Sequence, residues 1–271
     1  MQRFFAIIFL LLGFFFSCKQ DPKSTGAAEQ PVNLTASPQM LGGQWIAMDF
    51  CSRANQYGSV LGAMNYAHLP YCFAFVVDPE RPDSVTCYNG FEEFKLAAKY
   101  KADTLELVNA RPGKSLFLIY DSKGDRSITM FDATTGDTQM DQFVKSKANA
   151  RDGYTAFLAA LNHQVFGGTL TPIGKGASGQ VMFTPGGIIQ GMKEYDRYEV
   201  CTAGDCFVSG DKMDVITFIN RRKEGSAKMF GFKYNAQNDT LTFYNLVNKN
   251  PNEKGAYAVG SVAYKFLRKE Q

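Results

Sequence analysis

An all-β fold is what this sequence predicts: two tandem small up-and-down antiparallel barrels with one or two short helices. Three observations carry that prediction. Most of the chain is built of short apolar–polar alternations split by Gly, Asn, Asp and Pro, the pattern of antiparallel strands. Phe and Tyr are abundant, at 23 and 13 in 271 residues, and such rings suit a pleated, half-buried surface. Four blocks of sequence also recur in the same order along the chain, as a duplicated unit would leave them.

The N-terminus comes first. Met1-Gln2-Arg3 precedes an apolar run from Phe4 to Phe16. That run is about thirteen residues, short of the roughly twenty a spanning helix needs. A positive start with a short apolar stretch reads as an export signal over residues 1–17. Phe15-Phe16-Ser17-Cys18 then resembles the bacterial lipobox, with Phe15 where Leu is usual. The resemblance implies a lipoprotein, cut before Cys18 and held to a membrane by palmitate and other acyl chains on that cysteine. Lys19 rather than Asp in the next position is similar to the sorting pattern for the outer membrane, on its periplasmic side or at the cell surface. Residues 18–39 are mostly small and polar and have too little apolar area to order themselves, so they read as a flexible tether.

The repeat comes next. Leu41-Gly42-Gly43 matches Phe166-Gly167-Gly168, and Asn89 to Phe94 matches Gln190 to Tyr195. Asp103 to Asn109 matches Asp214 to Asn220, and Ile128 to Asp132 matches Leu241 to Asn245. The spacing drifts because the first half carries an extra piece near Gln56 to Pro70 and the second a loop from Cys201 to Cys206. Residues 40–150 and 151–271 each supply about eight strand segments, the number that closes a small barrel. In the first half these segments are 44–51, 71–77, 84–89, 92–100, 103–109, 115–121, 126–132 and 141–146. In the second they are 168–173, 179–184, 187–190, 193–201, 212–220, 227–234, 239–247 and 257–268. Two segments have helical spacing: Tyr57 to His68, and a run with Tyr154, Phe157, Leu158, Leu161 and Val165 that Asp152 would cap and Gly167 would end.

Gly43-Gln44-Trp45 opens the first strand and holds the single tryptophan. It resembles the G-x-W of lipocalin-like (calycin) barrels, in which Trp plugs the barrel bottom beneath a basic residue from a late strand. The second half has Gly168-Thr169-Leu170 there instead. Its Phe183-Thr184-Pro185-Gly186-Gly187 run, its Tyr198-Glu199-Val200 strand and its closing Tyr264 to Arg268 are similar to short lipocalin-like domains of bacterial lipoproteins. The resemblance implies barrels and small-molecule binding without naming a molecule. A single barrel across both halves would bring Arg268 to Trp45; two barrels would bring Lys145 or Lys147.

Aligning the halves assigns the inward face by period-two alternation. Leu107, Leu118, Tyr120 and Met130 in the first half, with Trp45, and Phe218, Phe230, Phe232, Tyr234 and Phe243 in the second would line barrel interiors. They would surround a small apolar or amphiphilic ligand, or fill the interior and leave an envelope scaffold that binds a protein partner on its outside. Among the cysteines, Cys201 and Cys206 flank a Gly-Asp turn and suit a local disulfide; Cys72 and Cys87 fall on consecutive strands and suit a second. That leaves Cys51 over, and with two histidines and no close Cys pair no metal site is expected.

Other chemistry is poorly represented. A net charge of +3 without a basic face argues against nucleic acid. Gly174 to Gly179 satisfies G-x-G-x-x-G, but a strand-like segment follows where phosphate binding needs a helix, so no nucleotide cofactor is expected. No nucleophile–base pairing stands out, His163 reads as structural, and the chain is not expected to be an enzyme.

Overall fold

The computed structural model of this protein describes residues 36–64, 69–121, 127–132, 139–147, 152–174, 179–202, 213–250, 252 and 257–269. Cys18 and Cys206 lie outside the described residues, as do the export signal and most of the expected tether. Residues 36–39, expected to belong to a flexible tether, are part of the described structure. Ala36 is buried and its N–H donates to the Ala102 carbonyl at 2.7 Å. Ser37 then caps a one-turn helix, α1 (Pro38–Leu41), by accepting from the Met40 N–H.

Alternation in the first half yields β1 (Gly43–Ala47), β2 (Ala74–Val77), β3 (Ser84–Tyr88), β4 (Glu93–Lys101), β5 (Thr104–Arg111), β6 (Lys114–Asp121), β7 (Ser127–Phe131) and β8 (Gln139–Lys145). Each pairs antiparallel with its neighbour in sequence, and β8 returns to β1, so the barrel closes. In the second half the strands are β9 (Thr169–Pro172), β10 (Val181–Phe183), β11 (Ile189–Gln190), β12 (Arg197–Val200), β13 (Asp214–Ile219), β14 (Lys228–Asn235), β15 (Thr240–Asn248) and β16 (Tyr257–Lys269). They form one eight-stranded sheet in the order β11-β10-β9-β16-β15-β14-β13-β12. Its two outer strands meet where the Ile189 N–H donates to Asp196 O and the Tyr198 N–H to Gly187 O. Where a second barrel was expected there is an eight-stranded sheet, whose outer strands touch only through this short seam.

The repeat survives in three dimensions. β9 pairs with β16 as β1 pairs with β8, and the matched segments fall on equivalent strands, β5 with β13 and β7 with β15. The entry turns coincide too: Gly42 lies at φ −53°, ψ 134° and Gly167 at φ −52°, ψ 137°, each at the end of a helix that leads into the first strand of its half.

The helices depart from expectation in one place. The first strand was expected to reach residue 51 and a helix to start at Tyr57; instead α2 (Met48–Tyr57) follows β1 directly. Gly58 ends it in the left-handed region, at φ +61°, with its N–H bonded to the Ala54 and Asn55 carbonyls. A Cβ there would collide with the Tyr234 carbonyl of β14, so the second sheet demands glycine at the point where the expected helix ran straight through. A short helix, α3 (Val60–Met64), resumes after it. The second helix forms as the spacing predicts, as α4 (Gly153–Phe166), with Asp152 accepting from the Thr155 N–H at 2.7 Å.

Helix α4 packs against both sheets. Near its start Phe157 stacks on Phe73, and at its end Phe166 packs on Phe183, Tyr198 and Phe232. Residues Leu34–Gln271 accordingly form one compact unit with a continuous apolar core. No helix among the described residues is long and apolar enough to cross a membrane.

Candidate functional site

The interior positions come first. Leu107, Leu118 and Met130 in the first barrel, and Phe218, Phe230, Phe232 and Phe243 in the second sheet, are fully buried; Tyr120 and Tyr234 are half-buried near the ends. They touch one another. Phe218 lies 5.0 Å from Phe230 and 5.1 Å from Phe243, ring centre to ring centre, with Phe183 at 5.7 Å. Such spacings are those of aromatic rings packed on one another.

The end of the first barrel is built differently. The Trp45 indole N–H donates to the Leu41 carbonyl at 2.7 Å, which fixes the ring. Phe75 stacks on it at 6.2 Å and Tyr120 meets it edge-on at 6.0 Å. Lys145, paired with Trp45 across the β1–β8 ladder, places its Nζ 5.7 Å from the ring centre. Gly43 makes this possible: it sits at φ +122°, and a Cβ there would come within 2.8 Å of Lys145 Cε. The basic residue over Trp45 therefore comes from its own half of the chain.

Arg268 holds the equivalent place in the second half, paired with Leu170. It stacks 4.4 Å from the Tyr234 ring centre and donates to the Tyr234 hydroxyl at 2.6 Å. It also donates to Asn55 Oδ1 on α2 and to the carbonyls of Gln164 and Val165 at the end of α4. A cation is favoured where a helix leaves its last carbonyls free.

Beside Lys145 the surface opens into two adjoining cavities. One, of about 400 Å³, is bounded by Met40, Trp45 and Tyr120; the other, of about 470 Å³, by Met48, the Ala156–Ala159–Ala160 face of α4, His163 and Pro185. Val144, Lys145, Ser146 and Lys147 border both, so together they form one groove. Pro185 is held there by its carbonyl, which accepts from Asn162 Nδ2 at 2.9 Å. Lys145, Lys147 and His163 are exposed on the rim, and among the described residues no acidic side chain forms an ion pair with any of them. His163 thus faces the groove, although its apolar neighbours in sequence suggested a structural role. Lys147, Met40, Met48 and the alanine face escaped sequence reading as members of one site, because nothing in their spacing says that the end of β8 and α4 border one cavity.

The cysteines divide. Cys201 is disulfide-bonded, while its expected partner Cys206 lies outside the described residues. Cys72 and Cys87 are buried free thiols, contrary to the expected bridge. The register explains why strand adjacency alone did not join them: Cys87 stands opposite Phe75, and Cys72 precedes β2. Cys51 is free and buried on α2, and burial pushes its thiol pKa far up. Nearby Asp141 is 3 % exposed; burial, reinforced by Asp49 and opposed by Arg53, pushes its carboxyl up to about 7. Among the described residues, no group of three or more His, Cys, Asp or Glu side chains is placed to hold a metal ion.

Comparison with protein families, curated proteins and solved structures finds no match for this chain.

Proposed function

We propose that this protein is a lipid-anchored envelope binding module, tethered through Cys18, that holds an anionic amphiphile in the groove along Lys145. The single observation that carries this reading is two exposed lysines, Lys145 and Lys147, set over an apolar floor of Met40, Met48, Val144 and alanines. An acyl or similar tail gains by leaving water against that floor, at about 25 cal/mol per Å² of apolar area covered. Its anionic head meets the ammonium groups at the rim. The ring-to-ring contacts of Phe183, Phe218, Phe230 and Phe243 favour this outside groove over a ligand within the second sheet. The strand order, with Trp45 under Lys145, also supports a pair of lipocalin-like units. No catalytic constellation is part of the reading.

Trp45, the single tryptophan, reports on the site. Titration of the protein with laurate is expected to shift its fluorescence saturably, while dodecyltrimethylammonium does not. The double variant Lys145→Gln/Lys147→Gln is expected to weaken laurate binding at least about tenfold, equivalent to roughly 1.4 kcal/mol. Equal responses to both detergents, or an unchanged laurate affinity in the variant, would refute the proposal.

A further inference from the structure

We propose that the outer face of the second sheet carries a binding site for a short acidic saccharide. The site is a cavity of about 520 Å³ between the end of α2 and strands β14, β15 and β16. It shares no residue with the groove along Lys145.

Its construction starts from the alternation of β15. Leu241 and Phe243 are buried in the core, so Thr240, Thr242 and Tyr244 face outward. An outward threonine is ordinarily wetted, yet Thr240 and Thr242 are only 7 % and 8 % exposed. The end of α2, with Gln56 and Tyr57, and the turn after β14 border the same cavity. Two contacts pin α2 there. Gly58 lies so close to the Tyr234 carbonyl that a Cβ would collide with it, and Arg268 donates to Asn55 Oδ1 at 3.4 Å. The turn is fixed as well: Asn235 Oδ1 accepts from the Gln237 N–H at 2.9 Å.

The lining selects the ligand. The register sets Lys233 on one side of Thr242 and Lys265 on the other, so two exposed lysines stand about 10 Å apart across three strands. Among the described residues no acidic side chain forms an ion pair with either. The carboxylate of the adjoining turn, Asp239, is engaged by the Tyr234 hydroxyl at 2.6 Å. Gln56, Gln237 and Asn238 add amides that both donate and accept, as sugar hydroxyls do. Tyr57 and Tyr244 offer partly exposed rings, whose negative faces suit the C–H face of a sugar ring. An acid group on the sugar meets the lysines. Among the described residues the lining holds one aliphatic side chain, Ala236, and no carboxylate, so neither a fatty tail nor a metal cation is matched by it.

The test titrates the protein with trigalacturonate by isothermal titration calorimetry, with maltotriose as the neutral sugar and citrate as the anion that is not a sugar. Saturable binding of trigalacturonate is expected, at least about tenfold tighter than either control. Lys233→Gln/Lys265→Gln should weaken it at least about tenfold while the melting midpoint stays within about 2 °C, both lysines being exposed. Tyr57→Ala, on a different element, should weaken it at least about threefold. The laurate response of Trp45 should be the same in the lysine variant as in the parent, so failure here and failure at the groove are told apart. No binding of trigalacturonate, equal binding of maltotriose or citrate, or an unchanged affinity in the lysine variant overturns the proposal.

Discussion

The two ends where a first strand meets a last strand share one design and reach opposite outcomes. In the first half Trp45 lies under Lys145, and the lysine head emerges into a groove. In the second, Leu170 pairs with Arg268, whose head turns back to Tyr234, Asn55 and the carbonyls ending α4. The difference lies in the cation and its surroundings. A lysine ammonium has a single flexible head that water can satisfy, whereas guanidinium presents five donors in a rigid fork that suits several fixed acceptors. Helix α2, which follows β1, supplies one of those acceptors, Asn55. Helix α3 reaches the second sheet again where the Leu61 N–H donates to Asp214 Oδ1 at 2.8 Å. One end is thereby left open as a groove, while the other holds the halves together.

That contrast can be broken in order of expected effect. Trp45→Leu copies the second half's residue into the first. It removes a buried ring and its bond to Leu41, and is expected to cost about 3–4 kcal/mol in denaturant unfolding. A loss under about 1 kcal/mol would mean that the plug matters little. Arg268→Met keeps the length of the side chain but strips the donors, leaving the Tyr234 and α4 acceptors short. A destabilisation of about 2–3 kcal/mol is expected, with laurate binding at Trp45 unchanged; a matching loss of binding would contradict the division of labour.

The smallest effect is read through pH, and again the halves differ. Buried Asp214 accepts from Ser59 and from the Val60 and Leu61 N–H groups, which offset part of the burial that raises its carboxyl. Asp141 has one oxygen, Oδ2, with no hydrogen-bond partner, and its carboxyl is pushed up to about 7. The folded state therefore holds the Asp141 proton more tightly than the unfolded state, whose ordinary value is 3.8. Its charged form opposes folding above about pH 7, and stability is regained as pH falls through 7 toward 4. Asp141→Asn is expected to flatten that slope and to raise stability at pH 8 by about 1–2 kcal/mol. An unchanged slope between pH 8 and pH 5 would show that Asp141 does not titrate there.

Much of this architecture was legible in one dimension. Leu116, Leu118 and Tyr120 alternate as Phe230, Phe232 and Tyr234 do, and the two triplets lie on β6 and β14, in equivalent places in their sheets. Asp152 and Gly167 bound α4 as their chemistry requires. Such signals are legible because they rest on the period of a strand or on one residue's own backbone preference.

What only the folded molecule decided involves partners far apart in the chain. The glycine that stops α2 answers to the Tyr234 carbonyl, and Arg268 finds its acceptors on α2 and α4. The groove exists because β8 ends beside α4 and Pro185 closes it from the second sheet. Strand pattern was thus determined locally, by alternation. Which cation seals an end and which lines a groove was determined by distant neighbours, because a side chain's charge and donors are satisfied only by what packing brings to them.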